Sequence, residues 1–405
     1  MKILHVNVVY PKGSTGKIIQ EIVNYMGKEQ SFVCYGRGKK NDINICYKFC
    51  SELEAKLHGI FNRLGGLQYG GNYLSTKRLI NKIISESPQI VHIHCINGYC
   101  VNIYDLLDFL AENKIKTVIT HHAEFYYTGS CSYSIDCNKW ASDKGCEKCP
   151  KKKNATGCLF SDNTTKAWMK MKQAFSKFDK SNLRFVAVSP WVRERSLQSS
   201  LVNKYDCDVV LNGINTKVFN AKKQLLELNN ISDKDIVCLH VTASFDTSFN
   251  SLKGGHYIIK LAYMYPEYKF VVVSSYSNIS EELPPNIILW GLARSQEELA
   301  DLYRRANVTV ITSRKETFSM IVAESLCCGT PIVGFKAGGP ETITIKEYSS
   351  FVDYPNIEDL SKAMENQINK GVNKIEVSEK AIMKFDSSVM VDGYIKLYNK
   401  LLADN

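Results

Sequence analysis

Glu316 and Glu324 stand eight residues apart in SRKETFSMIVAESLCCGTPIVGF, between an apolar run ending at Thr312 and the break at Gly329-Thr330-Pro331. The pattern predicts a polar turn carrying Glu316 and a helix that begins near Ser319, with Glu324 about one and a half turns in. The first turn of such a helix leaves the amides of Phe318, Ser319 and Met320 without intrahelical partners, which suits a phosphate or diphosphate. A carboxylate repels phosphate but accepts hydrogen bonds from paired hydroxyls. Sugars on either side of a diphosphate would therefore satisfy both glutamates and the amides, and a nucleotide-sugar has that layout.

A second phosphate signal is PKGSTGKIIQE, Pro11 to Glu21, directly after the apolar run KILHVNVVY. A nucleoside triphosphatase loop needs four residues between its glycines and a Ser or Thr after the lysine. Here Gly13 and Gly16 are two residues apart and Ile18 follows Lys17. Two readings remain: an anion site at a helix start, or a tight turn capped by Ser14 or Thr15. A third chemical signal is the cysteine spacing C-x5-C-x8-C-x2-C-x8-C at Cys131, Cys137, Cys146, Cys149 and Cys158. It opens three readings: a metal site, disulfides, which a reducing compartment disfavours, or buried thiols.

These residues need rigid elements to hold them. In the first half, β-branched runs such as KILHVNVV, SFVCYG, IVHIHC, KTVITHH and LRFVAVS alternate with amphipathic stretches such as NIYDLLDFLAEN. The pattern begins again with IVCLHVTAS, YKFVVVSS, NIILWG, NVTVIT and TPIVGF, and a chain of 405 residues exceeds one ordinary core. The expectation is two α/β domains in tandem, residues 1–205 and 206–384, each with a parallel sheet flanked by helices. DSSVMVDGYIKLYNKLL forms a terminal helix, residues 385–405, that returns to the first domain. In such sheets ligands sit beyond the carboxyl ends of the strands, which is where PKGSTGK and the Glu316 turn fall.

Composition narrows the class. The chain is 44% apolar and 23% charged, the balance of a globular protein, and no apolar run approaches a membrane span. The opening run carries His5 and Asn7 and stops at Pro11, unlike a signal peptide, so a cytoplasmic protein is expected. Of the net charge of +10, residues 1–205 carry 30 Lys and Arg against 16 Asp and Glu, the remainder 21 against 25. The first half thus implies an anionic partner, and a membrane surface or a phosphorylated lipid fits at least as well as nucleic acid, for which no recognition motif is present; the alternative is an ordinary solvated basic face.

The stretch around Glu316 resembles the E-x7-E motif and following G-T-P-(I/V)-V of family 4 retaining glycosyltransferases. The resemblance extends over most of the chain. It implies the GT-B fold, two Rossmann-like domains facing an interdomain cleft. It also implies a hexosyltransferase that retains anomeric configuration and takes its sugar from a nucleotide-diphosphate-sugar without catalytic Mg²⁺. On that pattern Glu316 holds donor-sugar hydroxyls, Glu324 the nucleotide ribose, and the amides of Phe318, Ser319 and Met320 the diphosphate. Lys253 in SLKGGHYII matches the lysine that neutralises the leaving group, though the Arg that often precedes it is absent here. Asn212-Gly213-Ile214 resembles the start of the family's second domain, with Asn215 for the usual Asp. Gly13, Gly16 and Lys17 match the glycine turn that approaches donor and acceptor.

TVITHHAEFYYTGSC resembles T-x-H-D-x-W-x-F-T-G-G-C of a polysaccharide-building subgroup. Aligned on it, the functional histidine is His122, hydrogen-bonding the donor sugar, and the family's Asp becomes Ala123; the alternative is that His121 points inward. Cys131, Cys137, Cys146 and Cys149 match the subgroup's cysteines within a loop at 129–158, implying a structural zinc or a metal-free thiol loop. Implied partners are the donor, a glycan or polyprenyl-diphosphate-linked acceptor in capsule or lipopolysaccharide synthesis, and an anionic face of the inner membrane; no nucleic acid is expected. Two rival readings are a nucleotide-sugar epimerase of the same fold and a zinc-containing nucleic-acid-binding protein.

Overall fold

The β-branched runs of the first half pair as one wholly parallel sheet in a computed structural model that describes residues 1–41, 44–66, 69–222, 231–279 and 282–403. Its strands are β1 (Ile3–Val9), β2 (Ser31–Arg37), β3 (Cys46–Lys48), β4 (Ile90–Ile93), β5 (Lys116–His121), β6 (Leu183–Ala187) and β7 (Cys207–Val209). Their spatial order is β3-β2-β1-β4-β5-β6-β7. The runs of the second half form another parallel sheet from β8 (Val237–Asp246), β9 (Lys269–Ser277), β10 (Ile287–Gly291), β11 (Val308–Ile311), β12 (Ile332–Phe335) and β13 (Ser349–Val352). Its order, β10-β9-β8-β11-β12-β13, repeats the first six places of the first sheet, which has β7 as an additional edge strand. Both are doubly wound sheets whose order reverses at one place, between β1 and β4 and between β8 and β11. The short strands β3 and β13 were not legible in the sequence, because CYK and SSFV contain no β-branched run and lie half-exposed.

The chain divides into two units, Met1–Leu211 with Val391–Asn405, and Asn212–Met390. The divisions fall after residues 211 and 390, against the 205 and 384 expected from the alternation of strand-like and helix-like stretches. In the first unit, helix Gly13–Met26 lays Ile19 and Val23 on Val33 and Tyr35 of β2. In the second, Ile258 and Leu261 of helix Gly255–Met264 and Leu360 and Met364 of helix Ile357–Lys370 bury Phe270, Val310, Val333 and Phe335. Such continuous apolar runs are what a parallel sheet covered on both faces demands.

One sheet face of the first unit departs from that rule. His5 of β1 lies in register with His92 of β4, and both are fully buried with His94 and Thr120. The terminal helix, Ser387–Ala403, covers them and returns to the first unit as the sequence implied. The Tyr398 hydroxyl lies 2.6 Å from His92 Nδ1, the Thr120 hydroxyl lies 2.8 Å from His92 Nε2, and Tyr394 lies 3.2 Å from Thr120 Oγ1. The helix supplies partners to His92 and Thr120, and His5 and His94 bond to each other, which makes these polar groups tolerable in the core. Tyr398→Phe leaves His92 Nδ1 buried and unpaired, and the expected cost is about 1–3 kcal/mol in urea denaturation, with Tyr394→Phe costing less.

Candidate functional site

In the second unit the reversal between β8 and β11 is lined by two turns. The first, after β8, carries Lys253 and ends at Gly254, which has φ +66°, and a Cβ there would lie 2.4 Å from the carbonyl oxygen of Thr312. Only glycine permits both the left-handed backbone and that approach. The approach is then locked: the Thr312 hydroxyl donates to the Lys253 carbonyl at 2.7 Å and the Arg314 amide to Leu252 O at 2.9 Å. The second turn carries Glu316, whose amide donates to Ala337 O at 2.9 Å and whose carbonyl accepts from Gly339 N at 2.8 Å. Glu341 holds the Ala337 and Gly338 amides in turn, at 3.0 and 2.8 Å.

With both backbones fixed, Lys253 Nζ meets Glu316 Oε1 at 2.5 Å. The pair is partly open to solvent, 37% and 18% exposed, so its net contribution to stability is small and the partners can be exchanged. Beyond Glu316 the helix begins at Met320, with Ser319 at φ +80° as its entry residue. The amides of Phe318, Ser319 and Met320 find no acceptor among the described residues. The Ser319 hydroxyl is also buried without a partner, and no sequence signal singled it out. Glu324 faces Tyr303, whose hydroxyl donates to Oε2 at 3.1 Å; burial first, and the carboxylate second, push that phenol well above its ordinary range. The turn therefore gathers one cation, two carboxylates, three amides and a hydroxyl.

The first unit's reversal is built differently from expectation. PKGSTGK is no separate turn: helix Gly13–Met26 starts inside it, Lys12 is the N-cap, and neither Ser14 nor Thr15 caps by side chain. Gly16 lies within that helix, where a Cβ would come within 3.0 Å of Val9 O and the Pro11 carbonyl carbon. The glycine lets the helix press on the end of β1. Lys17 points to solvent.

His122 follows β5, and its Nε2 lies 3.1 Å from His94 Nδ1; His94 Nε2 lies 3.1 Å from His5 Nδ1. The three rings form a hydrogen-bonded row leading from the core to the strand ends. His121, the alternative, is instead buried against Phe185, stacked at 5.0 Å. The spacing of His92 and His94 in IVHIHC puts both on one sheet face, a period-of-two signal that the sequence carried unread.

Ala123, in the place of the family's Asp, is followed by a carboxylate that sequence reasoning passed over. Glu124 is fully buried, accepts from Arg195 Nε at 2.9 Å, from the Tyr127 hydroxyl at 2.8 Å and from Ser134 Oγ at 3.0 Å, and binds the Ser134 amide. Arg195 also stacks over Trp140 and Trp191, at 4.9 and 5.0 Å. This network anchors the cysteine loop to helix Pro190–Leu197. Within the loop Cys131, Cys137, Cys146 and Cys149 line one cavity of ≈ 40 Å³, and Cys158 lies apart, against Arg63 O and Ser161. All are free thiols, and burial pushes those of Cys131 and Cys146 up to about 12. Among the described residues, the only His, Cys, Asp or Glu group with three ligand atoms within 4.8 Å of one another is His5, His92 and His94, so the four sulfurs are spread wider. The hydrogen bonds above already engage the ring nitrogens of His92 and His94.

Residues 245–382 match the family described as Glycosyl transferases group 1. Along its whole length the chain is similar to a protein of Escherichia coli (strain K12) named as a colanic acid biosynthesis glycosyl transferase, WcaC: 19% identical, covering 99% of this chain and 100% of that one. Sucrose-phosphate synthase from Thermosynechococcus elongatus superposes with a TM-score of 0.66 at 14% identity over 100% of both chains. Anabaena HepE in complex with UDP-glucose gives 0.63 at 13% identity, over 98% of this chain and 99% of that one. The fold is GT-B, and the match to the group 1 glycosyltransferases lies within the second unit.

The buried histidines set a pH dependence. Burial lowers His5, His121 and His122 to about 3 and holds His92 and His94 well below their ordinary 6.5. Below about 6.5 the unfolded chain binds protons that the folded chain refuses, so stability falls with pH by about 1.4 kcal/mol per unit for each such histidine. Urea midpoints for the first unit should drop steeply from pH 7 to 5.5; a flat profile would contradict neutral, buried imidazoles.

Proposed function

We propose that the protein is a retaining hexosyltransferase that moves a sugar from a nucleotide-diphosphate-sugar to a glycan or lipid-linked glycan in cell-surface polysaccharide synthesis. The observation that carries this reading is the Lys253–Glu316 pair beside the three unengaged amides at Phe318, Ser319 and Met320. Similarity to a colanic acid biosynthesis glycosyl transferase supports polysaccharide synthesis, and similarity to a protein solved in complex with UDP-glucose supports a nucleotide-sugar donor.

In this reading the donor exchanges partners with the pair. Its diphosphate takes the Lys253 ammonium, the amides and the Ser319 hydroxyl; its sugar hydroxyls take Glu316; its ribose takes Glu324, held ready by Tyr303. As the glycosidic bond breaks, charge grows on the diphosphate, and fixed donors stabilise it without reorganising. The acceptor hydroxyl attacks from the face the leaving group vacates, and its proton passes to the departing phosphate oxygen. We assign His122 to the sugar hydroxyls, and Gly13, Gly16 and Lys17, with the start of their helix, to the acceptor side. The inner face of the cell membrane is the proposed site of action, and no described helix is long and apolar enough to cross a membrane.

A structural Zn²⁺ is proposed for Cys131, Cys137, Cys146 and Cys149. The four thiols that share the lining of one small cavity support it, and the ion would close the loop by drawing the sulfurs inward.

Lys253→Ala and Glu316→Gln should each lower sugar transfer roughly 100-fold or more, with unchanged thermal unfolding. Transfer from a radiolabelled nucleotide-sugar panel measures it, and full activity in both variants would sink the assignment. Elemental analysis of the purified protein should find about one zinc per chain; less than about a tenth of that removes the zinc.

A further inference from the structure

Helix Glu52–Gly65 turns its apolar stripe toward water. Leu53, Leu57, Ile60, Phe61 and Leu64 have the spacing of a buried face, yet they are 68, 47, 54, 67 and 53% exposed, while only Ala55 and Asn62 are buried. The helix is nonetheless firmly made: Ser51 and Glu54 form a reciprocal capping box, and Gly66 closes the other end in the left-handed region. The stripe continues onto a neighbouring loop. Leu159 N donates to Arg63 O at 2.9 Å and the Ser161 hydroxyl to Gly65 O at 2.9 Å, seating Phe160, 72% exposed, at the end of the helix. An apolar patch of this extent on a folded surface marks an interaction site.

Charge identifies the partner. The acidic residues of the helix are already engaged, Glu52 by Arg37 and Lys48 and Glu54 by Arg78. Lys56 and Arg63, interleaved with the stripe, form no ion pair among the described residues, and neither does Lys153 on helix Lys152–Thr156, whose Thr156 carbonyl accepts from Asn62 at 3.0 Å. Lys152 donates to Phe160 O at 3.2 Å, and against the opposing effect of burial its charge joins hydrogen bonds from Thr164 and Cys149 in holding the Asp162 carboxyl below its ordinary range. An apolar band with an uncompensated basic rim suits a helix lying in the plane of an anionic bilayer, while a second copy of the chain would set like charges against each other.

We propose that helix Glu52–Gly65, with Phe160, seats the protein on an anionic lipid surface. The stripe enters the headgroup boundary and Lys56, Arg63 and Lys153 meet lipid phosphates. This deepens the membrane part of the proposed function and needs no transfer chemistry, so it is tested without donor. The intact protein is floated with phosphatidylcholine vesicles, with or without about 30% phosphatidylglycerol, at about 0.05 M and about 0.5 M salt. The wild type should bind the anionic vesicles, at least about tenfold more weakly at the higher salt or on neutral lipid. Leu57→Ser/Phe61→Ser and Lys56→Glu/Arg63→Glu should each weaken binding about tenfold or more, the first by removing inserted apolar area and the second by removing attraction to lipid phosphates. Both keep wild-type circular dichroism and the wild-type thermal shift with nucleotide-sugars, a shift whose loss would bear on the transferase reading instead. Three results overturn the proposal: no binding to anionic vesicles, variants that bind like wild type, or a solution dimer that Leu57→Ser/Phe61→Ser dissociates.

Discussion

In a parallel sheet each strand's outgoing connection must cross one face or the other, and where the strand order reverses, two neighbouring strands send their connections opposite ways. That leaves their carboxyl ends uncovered, with backbone groups that no helix satisfies. This chain has the constraint twice, at β1/β4 and at β8/β11. The chemistry-bearing side chains stand at those two places. Lys253 leaves the end of β8 and Glu316 the end of β11, and Gly254 allows the two turns to touch. The site is a product of strand order before it is a product of any single residue.

The two reversals are furnished differently. That of the second unit is electrostatic, with charges and open amides mounted on locked turns. Behind that of the first unit lies a row of neutral imidazoles, His5, His94 and His122, joined ring to ring. Neutral imidazoles donate at one nitrogen and accept at the other, so fixing the proton on any one ring fixes it on the next. Burial keeps all three neutral, and the row helps hold the orientation of His122.

Much of the fold was legible in the amino-acid sequence because parallel strands are short β-branched runs and their helices amphipathic, patterns a few residues long. The Glu316 turn was legible for a similar reason: its glutamates, its helix start and its following Gly-Thr-Pro are all local. What could not be read is long-range. Nothing near Tyr303 says that it will face Glu324, or near Glu124 that Arg195 will arrive from 71 residues away to neutralise it in the core. The Ser14 or Thr15 cap failed on a steric point, since Gly16 lets the helix start earlier and press on Val9. The cysteine spacing likewise says which thiols share a loop but not how far apart the sulfurs settle.

The terminal helix has a consequence for synthesis. The first unit is interrupted in the chain: its sheet ends at Val209, residues 212–390 follow as another unit, and only then do Tyr394 and Tyr398 reach His92 and Thr120. On the ribosome, where domains usually complete in order from the N-terminus, this protein reverses the sequence of completion. The second unit can finish while the first still exposes a face of histidines, and a chain released before residues 394–405 keeps a complete second sheet and an unfinished first core.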